Sequence, residues 1–493
     1  MDIVAVIDSR IWLPTDLPRD VTNALKRALT HTNPDFHRKK AMGHQTWGVP
    51  SQIKTFDYRT DHLGERLTIP LGAIFKLIEV ANDEGHRVRW VDRRTSAPVD
   101  FPTFRVDPDD PSKKLRWYQN EAVEAALEKQ VGIIRAPTGS GKSIAALSFI
   151  QQAGERALVV VQDGNLLKQW VRVAARCLDM DEKEIGIIGG GKWRPGKRLT
   201  IGLQQTLFRN GDELIAMMNA EPFGCIVVDE VQLLAARTFV AVADRFPCKY
   251  RIGVSADETR KDKKEFLIYD TMGRTIYEIE RSTLEDERVV HPVTIRLIPT
   301  EFRADWYAGA PPEERDFNRL LDEMVNDDAR NGLILDTVEE IVAFEETPAL
   351  LFTRRREHAH ALADQELSAI RGIACGLLMG GTGADGERFQ NDLRSLLAGK
   401  IKVAAGTFNA IGVGHDLPAI RAGLIATPIS KTNRQFFGQV RGRICRSSPG
   451  KDDAFLYYVW DQHVFPSVVS RLKSWNDGLV EIRDDRGRWV RAR

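Results

Sequence analysis

Val131-Gly132-Ile133-Ile134 runs through Arg135-Ala136-Pro137-Thr138-Gly139-Ser140-Gly141-Lys142 into Ser143, and this stretch decides the fold. It reads as a short apolar strand, a glycine-rich turn and a helix from Ser143 to Gln151. In that context consecutive backbone N–H groups converge on phosphate oxygens, with the positive end of the helix dipole behind them. Thr138, Gly139, Ser140 and Gly141 form the cradle, Lys142 reaches the β and γ phosphates of a nucleoside triphosphate, and the Ser143 hydroxyl ligates Mg2+. The usual pattern begins with glycine, whereas Ala136 stands here. Alanine is tolerated only at negative φ, so the loop is expected to have a different entrance.

A second stretch completes the site. Cys225-Ile226-Val227-Val228 is a buried strand ending in Asp229 and Glu230. Such a pair places Asp229 to hold the metal and Glu230 to orient and polarise the attacking water. Around these two motifs, short apolar strands alternate with longer helical segments. Val131–Ile134, Ala157–Val161, Leu199–Leu203, Cys225–Val228 and Tyr250–Val254 are the strand candidates of a parallel sheet covered by helices. A second series begins near Asn331, with strands at Pro348–Phe352, Ile370–Leu377, Ile401–Ala405, Ala422–Thr427 and Ala454–Val459.

The first hundred residues read as a smaller mixed α+β domain. A helix is expected over Asp20–Thr30, a strand at Arg66–Pro70, a turn at Leu71-Gly72, a helix over Ala73–Glu84 and a strand at His86–Val91. Prolines at 98, 102, 108 and 111 mark a boundary. The resulting division is 1–105 as an accessory domain, 106–285 and 331–470 as two α/β domains, 286–330 as their connection, and 471–493 as a basic tail.

Composition sets outer bounds. In 493 residues, 70 Lys plus Arg face 69 Asp plus Glu, so net charge neither requires nor excludes nucleic acid. Five scattered cysteines form no CxxC pair, which argues against a zinc site or a disulfide scaffold. There is no apolar run of the roughly 20 residues that spans a bilayer, and the N-terminus lacks the basic head of a secretory signal. Cytoplasm, or the host cytoplasm for a phage-encoded protein, is the expected location, without membrane contact.

The order of the remaining motifs resembles superfamily 2 helicases. Leu115-Arg116-Trp117-Tyr118-Gln119 stands where that superfamily carries an adenine-reading glutamine, which implies ATP selectivity from Gln119 and ring stacking by Arg116 or Trp117. Leu166-Leu167-Lys168-Gln169-Trp170 resembles a nucleic-acid-contacting motif. Arg251-Ile252-Gly253-Val254-Ser255-Ala256-Asp257 resembles the coupling motif, with Asp257 and Glu258 replacing its usual last residues. Leu350–Arg355, including Arg354, resembles a backbone-touching loop, and Ala404-Ala405-Gly406-Thr407 with Gly412, Gly414, Asp416 and Pro418 a coupling segment. Gln439-Val440-Arg441-Gly442-Arg443-Ile444-Cys445-Arg446 matches Gln-x-x-Gly-Arg-x-x-Arg, implying Arg443 and Arg446 as trans-domain fingers and Gln439 as a positioner of water or phosphate.

The resemblance covers about residues 114 to 465 and is nearest to the XPB-like repair-helicase branch and its bacteriophage branched-DNA relatives. It implies two tandem RecA-like parallel-sheet domains after the small mixed domain, ATP and Mg2+ as cofactors, and DNA, branched, forked or single-stranded, as partner. Lys168, Arg354 and Thr407 are the implied nucleic-acid contacts, and Gln232, Ser255, Gly414 and Asp416 the coupling residues. Gln232 stands where these relatives have histidine, which also fits an RNA helicase subgroup. Three readings stay open: a DNA helicase or translocase acting in repair, recombination or replication; an RNA helicase; and the motor subunit of a nuclease or defence complex with a protein partner. For the accessory domain, duplex or junction recognition stands beside ordinary surface charge at Arg38, Lys39, Lys40, Arg87, Arg89, Arg93 and Arg94.

Overall fold

Strands buried on both faces need apolar side chains on both, and the continuous runs of Val, Ile and Leu in this chain become central strands. The computed structural model describes residues 2–492 except 15, 62–63, 234–235, 257–259, 261, 312–313, 345, 380–383, 413–419, 430–433, 448–450, 452, 477–478 and 485. Two compact units divide it, Met1–Arg281 and Ser282–Arg493.

The first unit opens with β1 (Asp2–Ile7), β2 (Arg10–Leu13), α1 (Arg19–Ala28), β3 (Thr30–Thr32), α2 (Pro34–Ala41), β4 (Gln52–Lys54), β5 (Asp57–Asp61), β6 (Gly64–Pro70), α3 (Ile74–Asp83) and β7 (Arg87–Asp92). A five-stranded sheet runs β5-β6-β2-β1-β7, and β3 pairs with β4 separately. The Asp2–Ile7 run is the strand that pairs in parallel with β7.

α4 (Trp117–Lys129), β8 (Val131–Arg135), α5 (Lys142–Ala153), β9 (Ala157–Val161), α6 (Gly164–Cys177), β10 (Gly186–Gly189), β11 (Lys192–Arg194), β12 (Leu199–Leu203), α7 (Gln204–Arg209), α8 (Gly211–Ala220), β13 (Cys225–Asp229), α9 (Ala236–Ala243), β14 (Tyr250–Ser255), α10 (Glu265–Met272) and β15 (Thr275–Glu278) follow. Their sheet order is β11-β10-β12-β9-β13-β14-β8-β15, parallel except for the β10–β11 edge. The motif-bearing strands β8 and β13 therefore flank β14, and their C-terminal ends open on one edge of the sheet, where ligands bind in open α/β folds.

The small domain is bound to this sheet through α10. Gly72 lies where an added Cβ would come 2.2 Å from Gly273 N, so the Ile69-Pro70-Leu71-Gly72 turn is a close backbone approach. Asp270, buried at the side chain, receives Lys76 Nζ at 2.6 Å, Thr55 Oγ1 at 2.7 Å and the His31 ring at 2.7 Å. Burial opposes its charge, but these partners hold the Asp270 carboxyl below the usual carboxylate range. The proline-rich boundary is an ordered strap, with Val99 N–H donating to Gly154 at 2.8 Å and Arg105 N–H to Cys177 at 2.8 Å.

The second unit is a sheet of β16 (Val293–Thr300), β17 (Ala349–Thr353), β18 (Cys375–Leu378), β19 (Val403–Thr407), β20 (Ala422–Ile425), β21 (Ala454–Asp461), β22 (Val480–Arg483) and β23 (Trp489–Arg491), ordered β18-β19-β17-β20-β21-β16-β22-β23. Two expectations need correction. Residues 286–330, read as a connection, supply the interior strand β16, which pairs in parallel with both β21 and β22. Residues 471–493, read as a basic tail, extend the sheet through β22 and β23, with Arg488 neutralised by Asp484 at 2.8 Å. The strand expected from Ile370 begins only at Cys375, because Ile370 ends a helix and is 70% exposed. Beneath the sheet, Arg330 and Asp461 form a fully buried ion pair at 2.8 Å, to which Thr300 Oγ1 adds a hydrogen bond at 2.8 Å. Among the described residues no helix is long and apolar enough to cross a membrane.

Candidate active site

The loop between β8 and α5 turns on Gly139 and Gly141, at φ +96° and +80°, conformations that a side chain disfavours. Ala136 is held at its entrance by donating N–H to the Ser255 carbonyl at 2.8 Å and is not among the positive-φ residues, as alanine requires. Lys142 opens α5 and Ser143 follows it, half-buried. Ser140 is 1% exposed, and its Oγ has no partner among the described residues, an orphaned donor and acceptor inside a loop of backbone N–H groups.

The acidic pair lies opposite. Lys142 Nζ donates to Glu230 Oε1 at 3.1 Å. Asp229, 5% exposed, accepts from the Trp170 indole N–H at 2.7 Å. Glu230 carries φ +48°, a conformation costing of order 1–3 kcal/mol in a non-glycine residue and held here by its surroundings. Burial and the adjacent Glu230 charge push the Asp229 carboxyl above its usual range. Burial also opposes the Glu230 charge, but the Lys142 ammonium and the Gln232 amide outweigh it and hold Glu230 low. Two carboxylates face one ammonium, so the site carries net negative charge that a cation neutralises. With the orphaned Ser140 hydroxyl, that balance fits a metal-bound triphosphate: Asp229 and Ser143 would hold the metal, the 139–143 loop the phosphates.

Gln232 links this pair to the next strand. Its Nε2 donates to Glu230 Oε2 at 2.6 Å, while its Oε1 accepts from the Ser255 hydroxyl at the end of β14. An amide suits the position because it donates and accepts at once while staying neutral. Ser255 thus reaches the acidic pair through Gln232. The Gln232 carbonyl accepts from Arg260 at 2.9 Å, and Arg260 is clamped by Asp262 at 2.8 Å. Asp257 and Glu258 lie outside the described residues, as do Gly414, Asp416 and Pro418.

Gln119 is placed differently from a free base reader. It is 2% exposed, its Oε1 accepts from Arg116 N–H at 2.9 Å, and its Nε2 donates to the Ser140 carbonyl at 2.8 Å. It joins the start of α4 to the phosphate loop so closely that a Cβ at Gly141 would lie 2.3 Å from its Nε2. Trp117, half exposed, and Arg116, exposed, remain at the surface beside it.

Among the expected nucleic-acid contacts, Lys168 is exposed on α6. Trp170, the last residue of that motif, turns inward to Asp229, 59 positions away, and its one sequence signal is an indole directly after Lys168 and Gln169. In the second unit Arg354 is half-buried, donating Nε to the Pro428 carbonyl at 3.0 Å over the Phe317 ring, and Thr407 is half-buried at the end of β19. Gln439 and Arg443 lie one turn apart on the helix Arg434–Ile444, and Arg446 stands just past its end in a bridge with Val290. Burial lowers the Arg446 pKa from its ordinary value.

Residues 112–259 match the family model described as "Type III restriction enzyme, res subunit". The "DNA 3'-5' helicase XPB" of Mycobacterium tuberculosis (strain ATCC 25618 / H37Rv) is 26% identical over 235 residues, covering 46% of this chain and 42% of that protein. The "Probable helicase D10" of Escherichia phage T5 is 28% identical over 200 residues, 41% of each chain. These matches thus span less than half the length of either relative. Among solved structures, a fragment assigned as an HsdR subunit of a type I restriction enzyme from Vibrio vulnificus YJ016 shares the fold at TM-score 0.54, with 16% identity over 92% of this chain and 83% of that one. The chain is distantly similar to superfamily 2 helicase-like proteins, among them XPB-type repair helicases and phage and restriction-associated proteins.

Proposed function

We propose that this chain is an ATP-dependent DNA helicase or translocase that remodels branched or forked DNA in repair, recombination or replication. The observation that carries the reading is the continuous chain Lys142–Glu230–Gln232–Ser255, which ties a phosphate-binding lysine and a water-polarising carboxylate to the strand end that leads into α10. The relatives' names, a DNA 3'-5' helicase and a helicase, add support for a helicase acting on DNA.

In this mechanism the loop N–H groups and Lys142 bind the β and γ phosphates, and Glu230 orients the attacking water. Magnesium held by Ser143 and Asp229 would neutralise charge on the transferring group. Gln119 fixes the loop, and Trp117 or Arg116 stacks on the base. Gln439, Arg443 and Arg446 supply the remaining polar and positive groups to the phosphoryl group. Lys168, Arg354 and Thr407 hold the phosphodiester backbone, so that movement is nearly independent of sequence.

A second reading, the motor subunit of a nuclease or defence complex, is favoured by the restriction-subunit family model. The test is ATPase stimulation by single-stranded DNA, blunt duplex, forked DNA, a four-way junction and matched RNA at fixed salt. The DNA reading expects the forked or junction substrates to stimulate most. Stronger stimulation by RNA than by every DNA overturns it.

A further inference from the structure

Residues 33–51 leave and rejoin the small domain through the paired strands β3 and β4, whose register matches Thr30 with Lys54 and Thr32 with Gln52. Asn33 closes the neck: its N–H donates to Ser51 at 3.0 Å, its side-chain amide donates to Pro50 at 2.7 Å, and its Oδ1 caps α2 by accepting from Asp35 N–H at 3.1 Å. The helix that follows buries none of its residues. Beyond it the chain is ordered by a turn in which Val49 N–H donates to Thr46 at 3.0 Å, with Gly48 at φ +74°. At the tip of that turn Trp47 is 94% exposed.

An indole left almost wholly in water at the end of a braced projection has no part in holding the fold. Its charge surroundings are one-sided. From Phe36 to Phe56 the sequence contains Arg38, Lys39, Lys40 and Lys54, with no Asp or Glu. The flanking Asp35 is already engaged by Lys264 at 2.5 Å and Arg38 at 2.8 Å. Met42 and Trp47 are the exposed large apolar side chains of this stretch, with His44, Gln45, Thr46 and Gly48 between and beside them in sequence, a smaller and more polar surface than the centre of a protein interface. A flat aromatic face beside lysines is the chemistry that captures an unstacked base and its phosphates.

We infer that the 33–51 projection is a nucleic-acid contact element, with Trp47 stacking on an unpaired base of a DNA strand and Lys39 and Lys40 engaging its phosphates. The inference rests on the reading of the chain as a DNA motor and specifies where that motor meets unpaired DNA. The projection also has a physical route to the ATP site. Asp35, at its base, pairs with Lys264; Lys264 N–H donates to Asp262 at 3.2 Å; and Asp262 holds Arg260 against the Gln232 carbonyl. These contacts join the base of the projection to the Gln232 carbonyl.

The experiment uses the full chain, comparing wild type with Trp47→Ala, Trp47→Phe and the double variant Lys39→Ala/Lys40→Ala. Affinity for fluorescent single-stranded DNA, forked DNA with single-stranded arms and blunt duplex is read by anisotropy over a salt series, with the thermal unfolding midpoint as control for folding. Trp47→Ala is expected to weaken single-stranded and forked DNA by about 5- to 100-fold, with blunt duplex within about twofold and Trp47→Phe restoring most of the loss. The double variant is expected to flatten the salt slope by about 1–2. Unchanged affinity of Trp47→Ala for unpaired DNA, or an equal loss on blunt duplex, overturns the inference. If wild type is stimulated by DNA while Trp47→Ala binds normally, only this inference falls; if wild type binds no DNA, the DNA-motor reading falls with it.

Discussion

Replacing Gln232 with leucine removes both ends of the bridge between the acidic pair and β14 while nearly preserving side-chain volume. Gln232 is 5% exposed, so water does not readily replace what is lost. The bond to Glu230 Oε2, at 2.6 Å, involves a charged acceptor and is worth about 1.5–3 kcal/mol; the bond from the Ser255 hydroxyl is neutral and worth about 0.5–1.5 kcal/mol. If the first bond serves to hold Glu230 toward the attacking water, its whole value is lost from the transition state. That corresponds to a fall of roughly 10- to 150-fold in kcat. Lys142 and the loop glycines are untouched, so KM for ATP is expected to stay within about threefold, because uniform binding is unaltered. The assay is steady-state ATP hydrolysis at saturating DNA, with nucleotide affinity measured independently by a fluorescent analogue. A kcat within twofold of wild type, or a change confined to KM, refutes the role assigned to the bridge.

Trp170→Phe deletes the one indole donor seen on Asp229. That hydrogen bond favours the charged carboxylate, so its loss raises an Asp229 pKa already above the usual range. The acid limb of the kcat profile should move to higher pH and half-saturation by Mg2+ should rise about tenfold; identical profiles would remove Trp170 from the site. In the second unit, burial and then the nearby Arg330 charge lower the His358 pKa to about 3. Because the unfolded chain binds that proton near pH 6.5 and the folded one does not, stability is complete above pH 6.5 and falls by about 1.4 kcal/mol per unit as pH drops toward 3. Urea midpoints across that window should show a shallower acid loss in His358→Asn, and an equal slope in both proteins contradicts this. Asp461→Ala strands the buried Arg330 charge and is expected to cost about 3–5 kcal/mol. The apolar pair Arg330→Leu/Asp461→Leu should recover part of that loss, as read by thermal unfolding.

What the sequence disclosed followed from locality. The five strands read for the first parallel sheet fall within two residues of β8, β9, β12, β13 and β14, because each is a continuous apolar run bounded by turn residues. The loop between β8 and α5 is contiguous in sequence, so its place between strand and helix, with turns at Gly139 and Gly141, was legible from the motif. Val293–Thr300 was missed as a strand because Arg296 and Pro299 interrupt its apolar pattern, although Arg296 is accommodated by Glu346 at 2.8 Å. The closing strands at 480–491 were masked by arginines whose charges are met by Glu340 and Asp484. Gln119 shows the same limit at the site. Its residue type was readable, but its commitment to Ser140, 21 positions away, depends on how α4 packs beside the loop.

The central claim is that one phosphate loop and one acidic pair turn over nucleotide, and Lys142 is common to both. The most direct measurement is Mg2+-dependent ATP hydrolysis by Lys142→Ala, at DNA and ATP concentrations that saturate the wild type, with circular dichroism confirming the fold. The account predicts turnover at background for the variant. Hydrolysis at the wild-type rate would contradict it.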